Sequence, residues 1–153
     1  MEERLEERLE ERLKEKLDFS QEAGICHSVG GSVLNIRQSE LDALEKAFQL
    51  MWGKFPEAVQ LTYKNREVIA LNDVSKKLGR STGTKCSARG KPEDHKGCLA
   101  NQAMSTQQPI FRKIKYEGKE IVTYWLPIDG YPDFFIHFAL GKAIDYANLP
   151  EYN

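Results

Sequence analysis

At 153 residues the chain suits one compact domain with an appendage rather than two full domains. Lys and Arg total 22 against 23 Asp and Glu, so the net charge of −1 points to no anionic partner, while 41% hydrophobic and 10% aromatic residues exclude whole-chain disorder. No apolar run approaches the roughly 18 residues of a spanning helix, Met1 opens on charges rather than a signal sequence, and three cysteines make no disulfide framework; no membrane association and a cytoplasmic location are expected.

The near-neutral total averages over unlike territories. Residues 1–17 hold seven Glu against five Lys and Arg. Between 76 and 96, seven basic residues face only Glu93 and Asp94, whereas from Asp129 onward four acidic residues face Lys142 alone. The opening EERL-EERL-EERL-KEKL repeat consists of strong helix formers, with Glu three or four positions before Arg or Lys. Leu5, Leu9, Leu13 and Leu17 overshoot a full turn by about 40° per step, so their stripe winds around the helix instead of forming a straight heptad seam. A solvated helix and a short dimerisation or signal-transmitting helix both fit residues 1–23.

Residues 24–35 are rich in Gly and Ser and read as a loop or turn segment. Ser39 is placed to cap a helix over 39–52, whose stripe of Leu41, Leu44, Phe48 and Met51 faces a core before Gly53 and Pro56 stop it. Val59, Leu61 and Tyr63 alternate with polar residues, and Lys64-Asn65-Arg66 turns the chain into Val68–Leu71, a hairpin. Asn72 caps a short helix that Gly79 ends. Residues 79–97 are polar and Gly-rich, a helix follows from about Gly97 to Thr106, and 110–116, 120–128 and 134–140 read as a three-stranded meander. Five antiparallel strands with helices inserted after the second give an α+β architecture.

In that order, with Val68-Ile69-Ala70-Leu71-Asn72 followed by Asp73-Val74-Ser75-Lys76-Lys77-Leu78-Gly79, a long helix from Cys98 to Pro109 and a Gly130 turn between the last two strands, residues 59–141 resemble a PAS domain, a small sensory fold. Val74 and Ser75 stand where the family often has Ala, and many members lack a cysteine-bearing loop like that at 85–98. The resemblance implies four regions: a charged helix (1–23), a linker and leading helix (24–57), the PAS-like domain (58–142) and a C-terminal tail (143–153). It implies a five-stranded antiparallel sheet with helices on one face. It also implies a sensory or signalling role in which a small ligand or a redox state is detected and passed on by protein–protein interaction. Homodimerisation through the N-terminal helices and a signalling partner would follow. A cavity between sheet and helices would be lined by Val122, Tyr124, Leu126, Phe134, Ile136 and Phe138, which equally suit an ordinary core.

Cys86, His95 and Cys98, with Cys26 from the linker as a fourth member, form the most unusual constellation. Thiolate and imidazole together suit a metal ion, although the spacing matches no standard zinc module. The same thiols suit redox sensing, because Lys85, Arg89, Lys91 and Lys96 would lower a thiol pKa. A buried small Cys98 and a helix-entry His95 account for them equally. The cofactor is unknown; a metal ion or a small apolar ligand is open, and haem is disfavoured because only a lone His such as His95 could hold it. His137 reads as a hydrogen-bonded sheet residue. The basic stretch has no interleaved aromatic and no DNA-binding motif, so no nucleic-acid partner is expected. Without a nucleophile elbow, P-loop, GxGxxG or HExxH, no enzyme activity is expected.

Overall fold

The computed structural model describes residues 27–29, 32–34 and 36–151; the charged repeat at 1–17 and Cys26 lie outside them. Inside the segment expected to be a loop, β1 (His27–Val29) and β2 (Ser32–Leu34) pair antiparallel, with His27 opposite Leu34 and Val29 opposite Ser32. Helix α1 spans Gln38–Trp52. Arg37 rather than Ser39 occupies its cap position; it makes no side-chain cap bond and instead pairs with Glu40 at 2.7 Å. Leu41, Leu44 and Phe48 are buried along one face, but Met51 and Leu50 are each 78% exposed, so the expected stripe ends at Phe48.

The body is the five-stranded antiparallel sheet expected from the sequence. Strands β3 (Val59–Tyr63), β4 (Val68–Leu71), β5 (Ile110–Tyr116), β6 (Lys119–Ile128) and β7 (Tyr131–Leu140) form one antiparallel sheet in the order β4-β3-β7-β6-β5. Because β4 and β5 stand at opposite edges, the connection between them, residues 72–109, must travel across one whole face, roughly 19 Å at strand spacing. It contains only two short helices, α2 (Asp73–Lys77) and α3 (Ala100–Thr106), and two 3₁₀ turns at Cys86–Ala88 and Pro92–His95. Helix α1 covers the opposite face, with Leu34 of β2 packed into the same core. With both faces covered, the inner strand β3 is buried at every position, whereas edge strand β5 alternates between exposed and half-buried residues.

The Asn72 cap matches its sequence signal and does more than cap. Its Oδ1 accepts from the Ser75 and Val59 amides, both at 3.0 Å, while Nδ2 donates to the Phe55 and Glu57 carbonyls at 3.0 and 2.7 Å. One fully buried amide thus ties the start of β3 to the start of the crossing connection. Gly79, at φ +75°, then turns the chain out of α2 in a conformation that favours glycine. At the far end of β7, the buried Glu57 accepts from the amides of Gly141, Ala143 and Ile144 at 2.8, 2.7 and 3.2 Å, which holds the following chain against the base of β3. Among the described residues no helix is long and apolar enough to cross a membrane.

Candidate functional site

The alternation of β6 and β7 places two sets of side chains on opposite faces, and each packs against a different layer. Phe134, Ile136 and Phe138 join Val59, Leu61 and Tyr63 in the core beneath α1, with Tyr124 and Leu126 packed against it. Tyr124 and Phe138 stack at 4.8 Å and 6°, Phe138 meets Trp52 at 5.3 Å, and the run ends at Phe111, which is 64% exposed. Of the six residues expected to line a cavity, only Phe138 lines the one beneath residues 72–109. Val122, Tyr124, Leu126, Phe134 and Ile136 belong to the face under α1, one step out of phase with the cavity, and a one-residue step in a strand exchanges the faces.

The cavity lies on the other face, beneath residues 72–109. It encloses about 610 Å³, within the range of small-molecule sites. Its floor is a cross-strand row: Gln60 of β3 stands opposite His137 of β7, and His137 opposite Trp125 of β6. Trp125 and His137 stack at 5.1 Å and 20°. A second row joins Ala139, Thr123 and Arg112 across β7, β6 and β5. The roof is polar and glycine-rich, so it spans the sheet without large apolar side chains to fill the space below it. Glycine is required at Gly97, where φ is +78° and a Cβ would stand 2.6 Å from an Arg112 guanidinium nitrogen.

His137 is held as a neutral imidazole. Its Nδ1 lies 2.8 Å from the Tyr124 carbonyl, which can only accept, so Nδ1 carries the proton and Nε2 keeps a lone pair. Burial pushes its pKa down to about 4; the bond to Tyr124 opposes this, and Arg80, Arg89 and Arg66 add to the fall. No described residue is hydrogen-bonded to Nε2. The sequence reading of His137 as a hydrogen-bonded sheet residue omitted its place in the cavity floor.

The cavity wall is strongly basic. Arg80, Arg89, Lys96, Arg112, Lys115 and Lys142 line it, against only Glu93 and Asp94, both exposed. Lys142 sits 4.0 Å from the centre of the Tyr116 ring, and Asp94 accepts from the Lys91 amide at 2.9 Å. Arg89 donates to Gln60 Oε1, whose own Nε2 donates to Thr62 at 3.0 Å. None of Arg80, Arg89 and Arg112 forms an ion pair with a described carboxylate, and the Nε atoms of Arg89 and Arg112 are buried without a partner. Burial brings Arg80 down to about 10, with the neighbouring Arg89 adding to the fall and Tyr116 opposing it; burial also lowers Arg89. These arginines drew attention in the sequence only as part of a basic stretch.

Cys86, His95 and Cys98 all reach the wall of this cavity, and Cys26 lies outside the described residues. His95 Nε2 is already engaged with the Arg89 carbonyl. Among the described residues no group of three or more His, Cys, Asp or Glu side chains converges tightly enough to hold a metal ion. The expected lowering of a thiol pKa is reversed at Cys86: burial raises it and outweighs the opposing Arg89 charge, with Cys98 adding to the rise.

No protein-family model matches the sequence, and no curated protein matches it. The fold is similar to solved structures of low sequence identity. One is a domain of an HTR-like protein from Haloarcula marismortui, 17% identical, with a TM-score of 0.47 over 55% of this chain and 95% of that one. Another is the PAS domain of histidine kinase ThkA, 14% identical, with a TM-score of 0.43 over 54% of this chain and 97% of that one. A third is a sensory box sensor histidine kinase from Vibrio cholerae, 10% identical, with a TM-score of 0.48 over 67% of this chain and 92% of that one.

Proposed function

We propose that this chain is a PAS-like sensory module whose cavity takes a small ligand and whose output is a protein–protein contact rather than catalysis. The observation that carries the reading is the cavity itself, floored by Gln60, His137 and Trp125 in one cross-strand row and roofed by a polar connection. In this reading the outer face is the output side, where Leu50, Met51 and Phe111 leave apolar surface uncovered. Residues 1–23 supply self-association, and a signalling protein reads the result. Removing residues 1–17 is expected to raise the dimer dissociation constant in sedimentation without unfolding the body; an unchanged constant would refute the dimerisation role.

Native mass spectrometry of the full chain purified from its own host tests the ligand. A stoichiometric small-molecule adduct is expected on the unaltered protein and not on Ala139→Phe, which places a ring in the cavity. A folded, unaltered protein without an adduct would count against ligand sensing.

A second reading, redox sensing, is favoured by the presence of Cys86 and Cys98 on one cavity wall. Hydrogen peroxide would take two electrons and two protons from the pair, leaving a disulfide and two waters. Peroxide treatment should then lower the intact mass by about two hydrogens in the unaltered chain but not in Cys98→Ser. An unchanged mass would eliminate the pair as a sensor.

A further inference from the structure

We propose that the cavity binds a small organic anion, a carboxylate or phosphate on a flat apolar body, with its charged group held by Arg80 and Arg89. This rests on the reading of the cavity as a ligand site and names the chemical class that the site takes. Arg80 and Arg89 line the same cavity, the Arg89 charge disfavours that of Arg80, and both side chains are partly withdrawn from water. No described carboxylate pairs with either. Two guanidiniums brought together without a counter-ion are costly, and an arriving anion removes that cost while gaining charge-assisted, fork-shaped hydrogen bonds. The buried, unpartnered Nε of Arg89 is a further donor on the same wall, and Arg112, with another such Nε, extends the positive field along β5.

The remainder of the ligand is constrained by the floor. Trp125 and Phe135 are almost fully buried within the protein yet contribute aromatic ring atoms to the cavity lining. That surface suits an aromatic or similarly planar body. The lone pair on His137 Nε2 suits a hydrogen-bond donor on that body, since the neutral imidazole has already committed its proton to the Tyr124 carbonyl. Positive charge at the wall therefore favours an anion and disfavours a cation, and the acceptor in the floor takes a donor group where the anion carries one.

Titration of the full chain with benzoate, phenyl phosphate and the neutral isostere benzamide, at one ionic strength held with sodium chloride, tests this. Calorimetry gives affinity, and ¹H–¹⁵N spectra report the Trp125 indole. At least one anion is expected to bind tenfold or more tightly than benzamide and to shift the Trp125 signal; which one does so separates a carboxylate from a phosphate. Arg80→Gln should reduce that anion to the level of benzamide, and Arg80→Lys should retain part of the difference. The Arg80 side chain has no hydrogen-bond partner among the described residues, so neither variant removes a native bond. Equal binding of benzamide and the anions at Trp125 would overturn the anion assignment while leaving the cavity a ligand site. Unchanged anion binding in Arg80→Gln, or no Trp125 shift with any probe, would overturn it as well; the host-purified adduct decides the broader reading separately.

Discussion

On the face under α1, every strand except β5 contributes large apolar groups that find partners: Leu41, Leu44 and Phe48 descend onto Val59, Leu61 and Ile136, and Tyr124 and Phe138 stack beside them. On the face under residues 72–109, the same strands contribute Gln60, Thr123 and His137, and the covering segment contributes arginines without counter-ions. The first face is organised for stability and the second holds unsatisfied chemistry. Their difference teaches where a sheet with two covered faces keeps its function: on the side whose cover is too polar and too short of helix to fill it.

The comparison breaks first if the outer face is not the stabilising one. Phe48→Ala removes a ring that is 3% exposed from the centre of the α1 contact, and should cost about 3–5 kcal/mol in urea unfolding. A loss below about 1 kcal/mol would mean that α1 is not an integral part of the core.

On the cavity face the largest effect is a pH dependence. The folded-state pKa of His137 is pushed down to about 4 from 6.5, so between these values the unfolded chain binds more protons than the folded one. Stability from this group is complete above about pH 6.5 and is lost as pH falls toward 4, by up to about 3 kcal/mol. The lowered carboxyls of Glu40, Asp73 and Asp145 contribute in the same direction. The diagnostic measurement is therefore the difference between the unaltered chain and His137→Asn, which keeps a donor near the Tyr124 carbonyl without the titration. The variant should show a flatter stability profile between pH 4 and 6.5, and parallel profiles would deny His137 its neutral, buried state.

Between the two faces stands Asn72, which belongs to neither layer and joins both. Asn72→Ala removes an N-cap and leaves the Phe55 and Glu57 carbonyls and the Val59 amide without this partner. A cost of about 2–3 kcal/mol in thermal unfolding is expected, more than a surface cap alone would give.

How much of this was legible in the sequence depends on whether the signal was local. Asn72 and Gly79, the Lys64–Arg66 turn and the Gly118 and Gly130 turns announce themselves because caps and turns are set by a few adjacent residues. The five antiparallel strands followed from element order, and the helices on one face followed through the resemblance. The phase of β6 and β7 did not follow. Phe134, Phe135 and Ile136 are all buried, so hydrophobicity has no period there, and only the placement of α1 and of residues 72–109 decides which side is hollow. A usable clue existed: Gln60 and His137 are polar residues with apolar neighbours on either side, and they turn out to be direct cross-strand partners on the cavity floor. The arginines at 80, 89 and 112 were invisible as a group because they lie up to 32 positions apart and meet only through the fold.

The smallest expected effect has the opposite sign. Arg80→Gln removes a partly buried charge that repels Arg89 and has no described carboxylate partner, so the empty protein should gain about 0.5–1 kcal/mol. On the outer face no truncation of a packed side chain can do this, because each of those groups is already satisfied. Chemical denaturation of the empty protein measures the gain, and the same variant should lose most of the stabilisation that a saturating anion confers on the unaltered chain. A gain when empty together with a loss when liganded is the signature of a residue held for binding at the expense of folding. Destabilisation of the empty protein would place Arg80 with the structural residues of the opposite face.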